Sequence, residues 1–317
     1  MIGLNDVQDA RAQISSFVTR TPTVRNRTLS EWIGTNVYLK LELFQKTGSF
    51  KPRGAFNRML QLRDEEKQRG VVAFSGGNFA QGVAYAGRVL GIRTHILMPN
   101  HTPKNYVDAT QGYGAEVELV PSIQSMLDGA DEYRRRGRIV LHPFDDPFMM
   151  AGNGTIGLEL AEEVPNLTDV IVSIGGGGLM SGIVTAIKAL DPAVRIWGVE
   201  TDGADTMAQS LHARKIVHIS PTSIARTLGA PYVAQDAFTL AQRHLEGVTV
   251  VPDREAVRAL KFLLERAKIL AEPAASCTLA AAERLRDRFD RDRNVVLVLC
   301  GGNVSLEDVC RYAHEYA

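Results

Sequence analysis

The sequence predicts an α/β fold with parallel-rich sheets covered by helices. Three observations carry that expectation. Short β-rich runs alternate with helical patterns almost throughout the 317 residues, the pattern of βαβ units. Several runs are continuously apolar, VVLVL at 295–299 among them, as strands are when neither face of a sheet meets water. Apolar residues make up 45 % of the chain, which allows one large domain or two modest ones, each with its own core.

Taken in order, the expected strands are Val37–Leu43, Val71–Ser75, Thr94–Met98, Glu116–Val120, Ile139–Leu141, Val170–Ile174, Arg195–Val199, Val248–Val251 and Val295–Leu299. TGSFKPRGAF (47–56) turns the chain after the first of them. A helical pattern follows from Arg53 to about Lys67, with Pro52 suited to a helix's first turn. SGGNFAQG (75–82) joins the strand VVAFS to a helix reaching Leu90, and SIGGGGLMSG (173–182) joins DVIVSI to LMSGIVTAIKAL. CGGN (300–303) follows the last strand. No fixed-period repeat, low-complexity tract or Pro/Ser-rich linker interrupts the series, and composition marks no domain boundary.

Composition also excludes functions. Thirty-six basic and thirty-six acidic residues cancel, so no basic stripe or polybasic run speaks for nucleic acid or an anionic membrane. The N-terminus, MIGLNDVQDARAQ, lacks the basic start and apolar core of a signal peptide. No apolar run approaches the roughly eighteen residues of a membrane span. Three cysteines (Cys277, Cys300, Cys310) without CxxC spacing and seven scattered histidines suggest neither a disulfide framework nor a zinc site. The expectation is a soluble, cytoplasmic protein acting on a small molecule.

In such folds ligands gather where strand ends meet helix starts, and four of these junctions carry unusual residues. Lys51 stands at the mouth of a helix, where the dipole's positive end, like burial, makes an ammonium easier to deprotonate. Taken alone, a Lys-Pro pair reads as an ordinary exposed lysine before a helix. After Ser75, Gly76 and Gly77 let the backbone approach a ligand, and amides at the helix start suit a carboxylate. The plainer alternative is a glycine-rich turn with Asn78 as N-cap. Gly175, Gly176, Gly177 and Gly178 at a helix N-terminus form a nest of amide donors suited to phosphate. Glu200, ending the next strand, hints at a dinucleotide's ribose. However, G-x-G-x-x-G fails from Gly175, which ends at Met180, and from Gly176, which ends at Ser181. Cys300 faces the expected crevice, or is simply a small buried residue. A deprotonable lysine, a phosphate cradle, a carboxylate-binding turn and a neutral thiol are together what pyridoxal phosphate requires.

KLELFQKTGSFKPRGA, SGGNFAQG, SIGGGGLMSG, GVE, EPAAS and CGGN, in that order, resemble the motifs of the fold-type II pyridoxal phosphate enzymes, whose fold is tryptophan synthase β-like. Within them the chain is most similar to the serine/threonine dehydratases (threonine ammonia-lyases) and serine racemases, over nearly its whole length. The resemblance implies a homodimer and a small domain, 47–144, inserted into a large cofactor-binding domain, 1–46 plus 145–317. No regulatory domain is expected to follow, since the chain stops soon after CGGN. By resemblance Lys51 is the Schiff-base lysine and catalytic base, Phe50 flanks the cofactor and Asn78 meets its ring hydroxyl. Gly175 to Gly178 with Leu179 take its phosphate, and Cys300 takes its pyridine nitrogen. Ser75, with the amides of Gly76 and Gly77, would hold the substrate carboxylate. The implied reaction converts a β-hydroxy amino acid such as L-threonine or L-serine to a 2-oxo acid and ammonia. Racemisation, or another β-elimination or replacement, is the alternative.

Several positions depart from the family's pattern. Phe79 replaces the histidine of SGGNHAQG-type motifs, and is either core or a wall of the substrate pocket. SIARTLGAP (223–231) replaces a stretch containing ADG. Among metal-dependent members a Glu, a backbone carbonyl and an Asp bind a divalent cation. Glu200 and Ala204 match here, but Thr206 stands where the Asp belongs, so no metal is expected. The racemases carry a proton-donating serine where this chain has Gly76, which has no proton to give.

Overall fold

A computed structural model describes residues 1–316. Among them, ten strands form two sheets: β1 (Thr23–Arg25), β2 (Asn36–Leu41), β3 (Val71–Phe74), β4 (Thr94–Pro99), β5 (Glu116–Val120), β6 (Ile139–Leu141), β7 (Asp169–Ser173), β8 (Arg195–Thr201), β9 (Leu245–Val251) and β10 (Asn294–Leu299). The larger sheet runs β1-β2-β10-β7-β8-β9 and the smaller β5-β4-β3-β6. Every pairing is parallel except β1 with β2. The expected α/β class is the observed one, and its cause is visible in burial. β3 and β7 are buried at every residue, and β10 at every residue but its first, which is what their unbroken apolar runs require. β5, EVELV, lies at an edge of the smaller sheet and exposes its glutamates, a usual defence against edge pairing.

Besides shifts of one or two residues at other strand ends, four differences from expectation stand out. β1 was not anticipated: three residues, mostly exposed, on a sheet edge leave no apolar signature. β2 stops at Leu41 because Glu42 turns inward to meet a buried arginine. β9 begins three residues early, at the outer edge of the larger sheet. The single helix expected from Arg53 to Lys67 is two, Lys51–Leu60 and Asp64–Arg69. Leu62 folds back into the core at the break, and Glu66 accepts from Arg63 N (2.9 Å) to start the second helix.

The helix Pro147–Glu163, buried at every position from Met149 to Leu160, packs against both Lys51–Leu60 and Gly178–Leu190. Its small residues permit that. A Cβ on Gly182 would stand 2.7 Å from Gly154 Cα, so the helices Pro147–Glu163 and Gly178–Leu190 approach backbone to backbone. The larger core fills in around β7 and β10. The smaller gathers Phe56, Phe79, Val83, Ile96 and Met98, and also takes Ile14 and Met149 from outside residues 47–144.

A buried ion network ties these layers. Arg53, 1 % exposed, donates to Glu42 (2.9 and 2.8 Å), Glu159 (2.6 and 2.9 Å), Thr155 Oγ1 (3.0 Å) and Thr19 O (3.3 Å). Lys40, fully buried on β2, reaches Glu159 at 2.6 Å and Glu163 at 3.1 Å. Both carboxylates and the hydrogen bonds hold Arg53 firmly charged despite its burial. Among the described residues no helix is long and apolar enough to cross a membrane.

Candidate active site

The C-terminal ends of β3, β6, β7 and β10 open onto one cavity of about 420 Å³. Phe50, Lys51, Ser75, Gly76, Gly77, Asn78, Phe79, Gly175, Gly176, Gly177, Gly178, Leu179 and Cys300 all line it. Every residue singled out from sequence for catalysis, cofactor or substrate is thus brought to one wall.

The Lys51 turn is fixed by the loop after β10. Ser49 bridges Gly301, Phe50 N donates to Cys300 O (3.0 Å), and Gly302 N donates to Gly48 O (2.9 Å). Asn303 adds bonds from one amide nitrogen to Thr47 O (2.7 Å) and Asn78 Oδ1 (2.9 Å). Lys51 therefore starts its helix in a set position. Its Nζ donates to Pro143 O (3.2 Å) and lies 4.9 Å from the Phe50 ring and 5.5 Å from the Phe79 ring. Burial lowers its pKa to about 8, so an appreciable fraction is neutral amine near neutral pH.

The glycine run is a cradle by necessity. Gly177 caps the helix Gly178–Leu190 in a left-handed conformation (φ 94°), and a Cβ on Gly176 would fall on the Phe144 ring. Among the described residues, the amides of Gly175 to Leu179 donate to no acceptor, leaving five donors at a helix's positive end. A similar, smaller set stands at the turn after β3. Gly77, not Asn78, caps that helix; Gly77 N donates to Ser75 Oγ (3.1 Å), and the amides of Gly76, Asn78 and Phe79 have no partner there.

Cys300 is 5 % exposed, with Sγ 3.5 Å from Ser173 Oγ and 3.6 Å from Ala274 O. Burial pushes its thiol up to about 12, so it presents a neutral group. Phe79 is 2 % exposed, belongs to the smaller core and also lines the cavity.

Glu272 and His142 on the cavity wall, and Asn303 behind it, were not assigned from sequence. Glu272, first residue of EPAAS, accepts at Oε1 from Asn78 Nδ2 (2.8 Å) and Thr227 Oγ1 (3.0 Å), while its buried Oε2 has no partner. Burial raises its pKa to about 7, against the pull of those bonds. His142 accepts from Asp145 N at Nδ1 (2.8 Å) and lies 3.1 Å from Tyr232 Oη at Nε2, which places the proton of the neutral ring on Nε2. Burial lowers its pKa to about 4. The EPAAS and CGGN motifs signalled Glu272 and Asn303. No pattern signals His142, whose neighbours come from elsewhere in the chain.

Glu200 does not reach the cavity. Its two oxygens accept from Met207 N and Ala208 N (2.8 Å each), at the start of the helix Thr206–Ala213, and Thr206 Oγ1 donates to Ala230 O (2.8 Å). The carboxylate suggestive of a ribose or a cation is used internally, as a helix anchor.

Comparison with known proteins gives a consistent picture. The family described as "Pyridoxal-phosphate dependent enzyme" matches residues 14–301. A catabolic L-threonine dehydratase of Staphylococcus aureus is 38 % identical over 315 residues, 98 % of this chain and 91 % of that protein. Among solved structures, maize serine racemase superposes with a TM-score of 0.92 at 33 % identity, over 99 % of this chain and 97 % of that one. A processed threonine deaminase isoform from Solanum lycopersicum gives 0.92 at 30 % identity, over 98 % and 87 %.

Proposed function

The chain belongs to the pyridoxal-phosphate-dependent enzymes, and from that premise we propose that it is an ammonia-lyase converting β-hydroxy amino acids such as L-threonine or L-serine to 2-oxo acids and ammonia. The observation that carries this reading is Lys51: an amine with pKa lowered to about 8, aimed into a cavity between a cradle of five unengaged amides and a neutral thiol.

The donor set fits the cofactor. Gly175 to Gly178 and Leu179 would hold its phosphate, Asn78 its ring hydroxyl, Cys300 its pyridine nitrogen and Phe50 one side of its ring. When bound, the cofactor supplies an electrophilic aldehyde and a conjugated ring that accepts electrons from the substrate's Cα. The chain supplies the rest. Lys51, as a neutral amine, would hold the cofactor covalently and, once the substrate's amine has taken its place there, would accept the Cα proton at Nζ. Ser75 and the amides after it orient the substrate carboxylate, and Gly76 and Gly77 allow the close approach. Cys300, holding its own proton, would offer the ring nitrogen an uncharged partner, which would favour rapid loss of the β-hydroxyl. Glu272 fixes Asn78.

A small domain of residues 47–144 inserted into a large one belongs to the same reading, as do a homodimer and a cytoplasmic setting. One observation favours racemisation as a second reading. Thr102 Oγ1 stands 2.7 Å from where a Cβ on Gly76 would be, so a hydroxyl lies close to the position where the racemases carry their serine. The test is release of 2-oxo acid and ammonia from L-threonine and L-serine by wild type and Lys51→Ala, alongside D/L-serine interconversion in wild type and Thr102→Val. Turnover should fall by at least about a thousandfold in Lys51→Ala. A variant keeping a tenth of the activity removes Lys51 from the reaction. Interconversion faster than elimination, lost in Thr102→Val, replaces the first reading by the second.

A further inference from the structure

The stretch SIARTLGAP departs from the family's pattern, and the reaction above gives it no task. In the fold it lies across the cavity wall between two anion-binding turns. Thr227 Cγ2 is 3.3 Å from the position a Cβ on Gly77 would take, and Leu228 O is 3.2 Å from the corresponding position at Gly175. Its backbone is held firmly: Asp253 accepts from Ser223 Oγ (2.6 Å) and Ile224 N (3.0 Å), and Thr227 Oγ1 donates to Glu272 (3.0 Å).

The Arg226 side chain has no such tie. It lines the cavity, remains 48 % exposed, and makes no side-chain hydrogen bond among the described residues. The carboxylate it faces, Asp308, is 3.9 Å away and already accepts from Arg311 Nη2 at 2.7 Å. A guanidinium offers five donors in a fixed fork that matches a carboxylate, and it stays charged. Lys51 and Glu272 are the cavity's other lysine or carboxylate side chains. Lys51 is committed to the cofactor and Glu272 to Asn78 and Thr227. Of these three, Arg226 alone is held by no hydrogen bond and given no part in the reaction, its one ion pair being the 3.9 Å contact with the shared Asp308; Thr227, next in the chain, borders the turn suited to the substrate's α-carboxylate.

We propose that Arg226 determines specificity by receiving a second carboxylate, so that the substrate class is the dicarboxylic β-hydroxy amino acids. The inference rests on the ammonia-lyase reading. For 3-hydroxyaspartate the Cα–H and Cβ–O bonds break, a Cα–Cβ double bond forms, and the proton and hydroxyl leave as water. Hydrolysis of the resulting enamine takes one water back and releases ammonia, giving the 2-oxo dicarboxylic acid with no net oxidation.

The experiment compares 3-hydroxyaspartate, L-threonine and L-serine in wild type, Arg226→Gln and Arg226→Lys. In wild type kcat/KM should be highest for 3-hydroxyaspartate. Its ratio to that for threonine should fall at least about tenfold in Arg226→Gln, mainly through KM, and recover in part in Arg226→Lys. As a readout apart from turnover, succinate should raise the Tm of wild type more than acetate does, with the excess lost in Arg226→Gln. Threonine turned over as well as 3-hydroxyaspartate, or a ratio untouched by Arg226→Gln, overturns the inference and leaves the ammonia-lyase reading standing. Turnover of none of the three removes both.

Discussion

Glu272 carries the site's least comfortable charge. Its pKa is raised from an ordinary carboxyl value to about 7 by burial, so between roughly pH 4.5 and 7 the folded protein binds a proton that the unfolded chain releases. Stability is therefore lost as pH rises through that window, and the penalty is fully present above pH 7. It amounts to about 3 kcal/mol. Glu272→Gln keeps an acceptor for Asn78 and Thr227 and removes the charge. In urea unfolding of the cofactor-free protein, the variant should be more stable than wild type at pH 8, with the gap closing near pH 5. A gap that widens toward pH 5 would mean that Glu272 is ionised throughout. Lys51 titrates in the neighbouring window for the same reason, burial, with opposite sign: its folded pKa near 8 lies below the unfolded value, so stability rises as pH climbs from about 8 to 10.5.

At the scale of elements, the loops matter more than the strands they follow. Gly176 has no room for a side chain beside Phe144. Gly176→Ala should destabilise by about 1–3 kcal/mol through forced repacking and weaken cofactor binding, read by urea unfolding and by absorbance titration of the cofactor. Unchanged affinity would show that the cradle is not the phosphate site. These loops were legible because glycine at a helix start after an apolar strand has few other uses, as in SIGGGGLMSG and SGGNFAQG. β1 and the break at Gln61–Arg63 were not: the first is three residues on an edge, the second depends on Leu62 finding a core contact that no local pattern announces. Glu272 and Asn303 sat inside quoted motifs. Their roles became clear only when Asn78, some two hundred residues away in the chain, was placed beside them.

Over the whole molecule, Arg53 joins the start of the Lys51 helix to Glu42 after β2 and to Glu159 on the shared helix. Sequence showed Arg53 only as a residue in a helical pattern, because its partners lie 11 and 106 positions away. Arg53→Met leaves Glu42 buried without a cation and Glu159 with Lys40 alone, and should lower the unfolding free energy by about 3–5 kcal/mol. A loss below about 1 kcal/mol would show the network to be solvated. That network and the loop after β10 both serve to hold one amine in one place. The most direct measurement reduces the cofactor-loaded protein with borohydride, digests it and finds the cofactor-bearing peptide by mass. The expected result is a single label, on Lys51. A label on any other lysine, or no label on a protein that turns over amino acids, would contradict it.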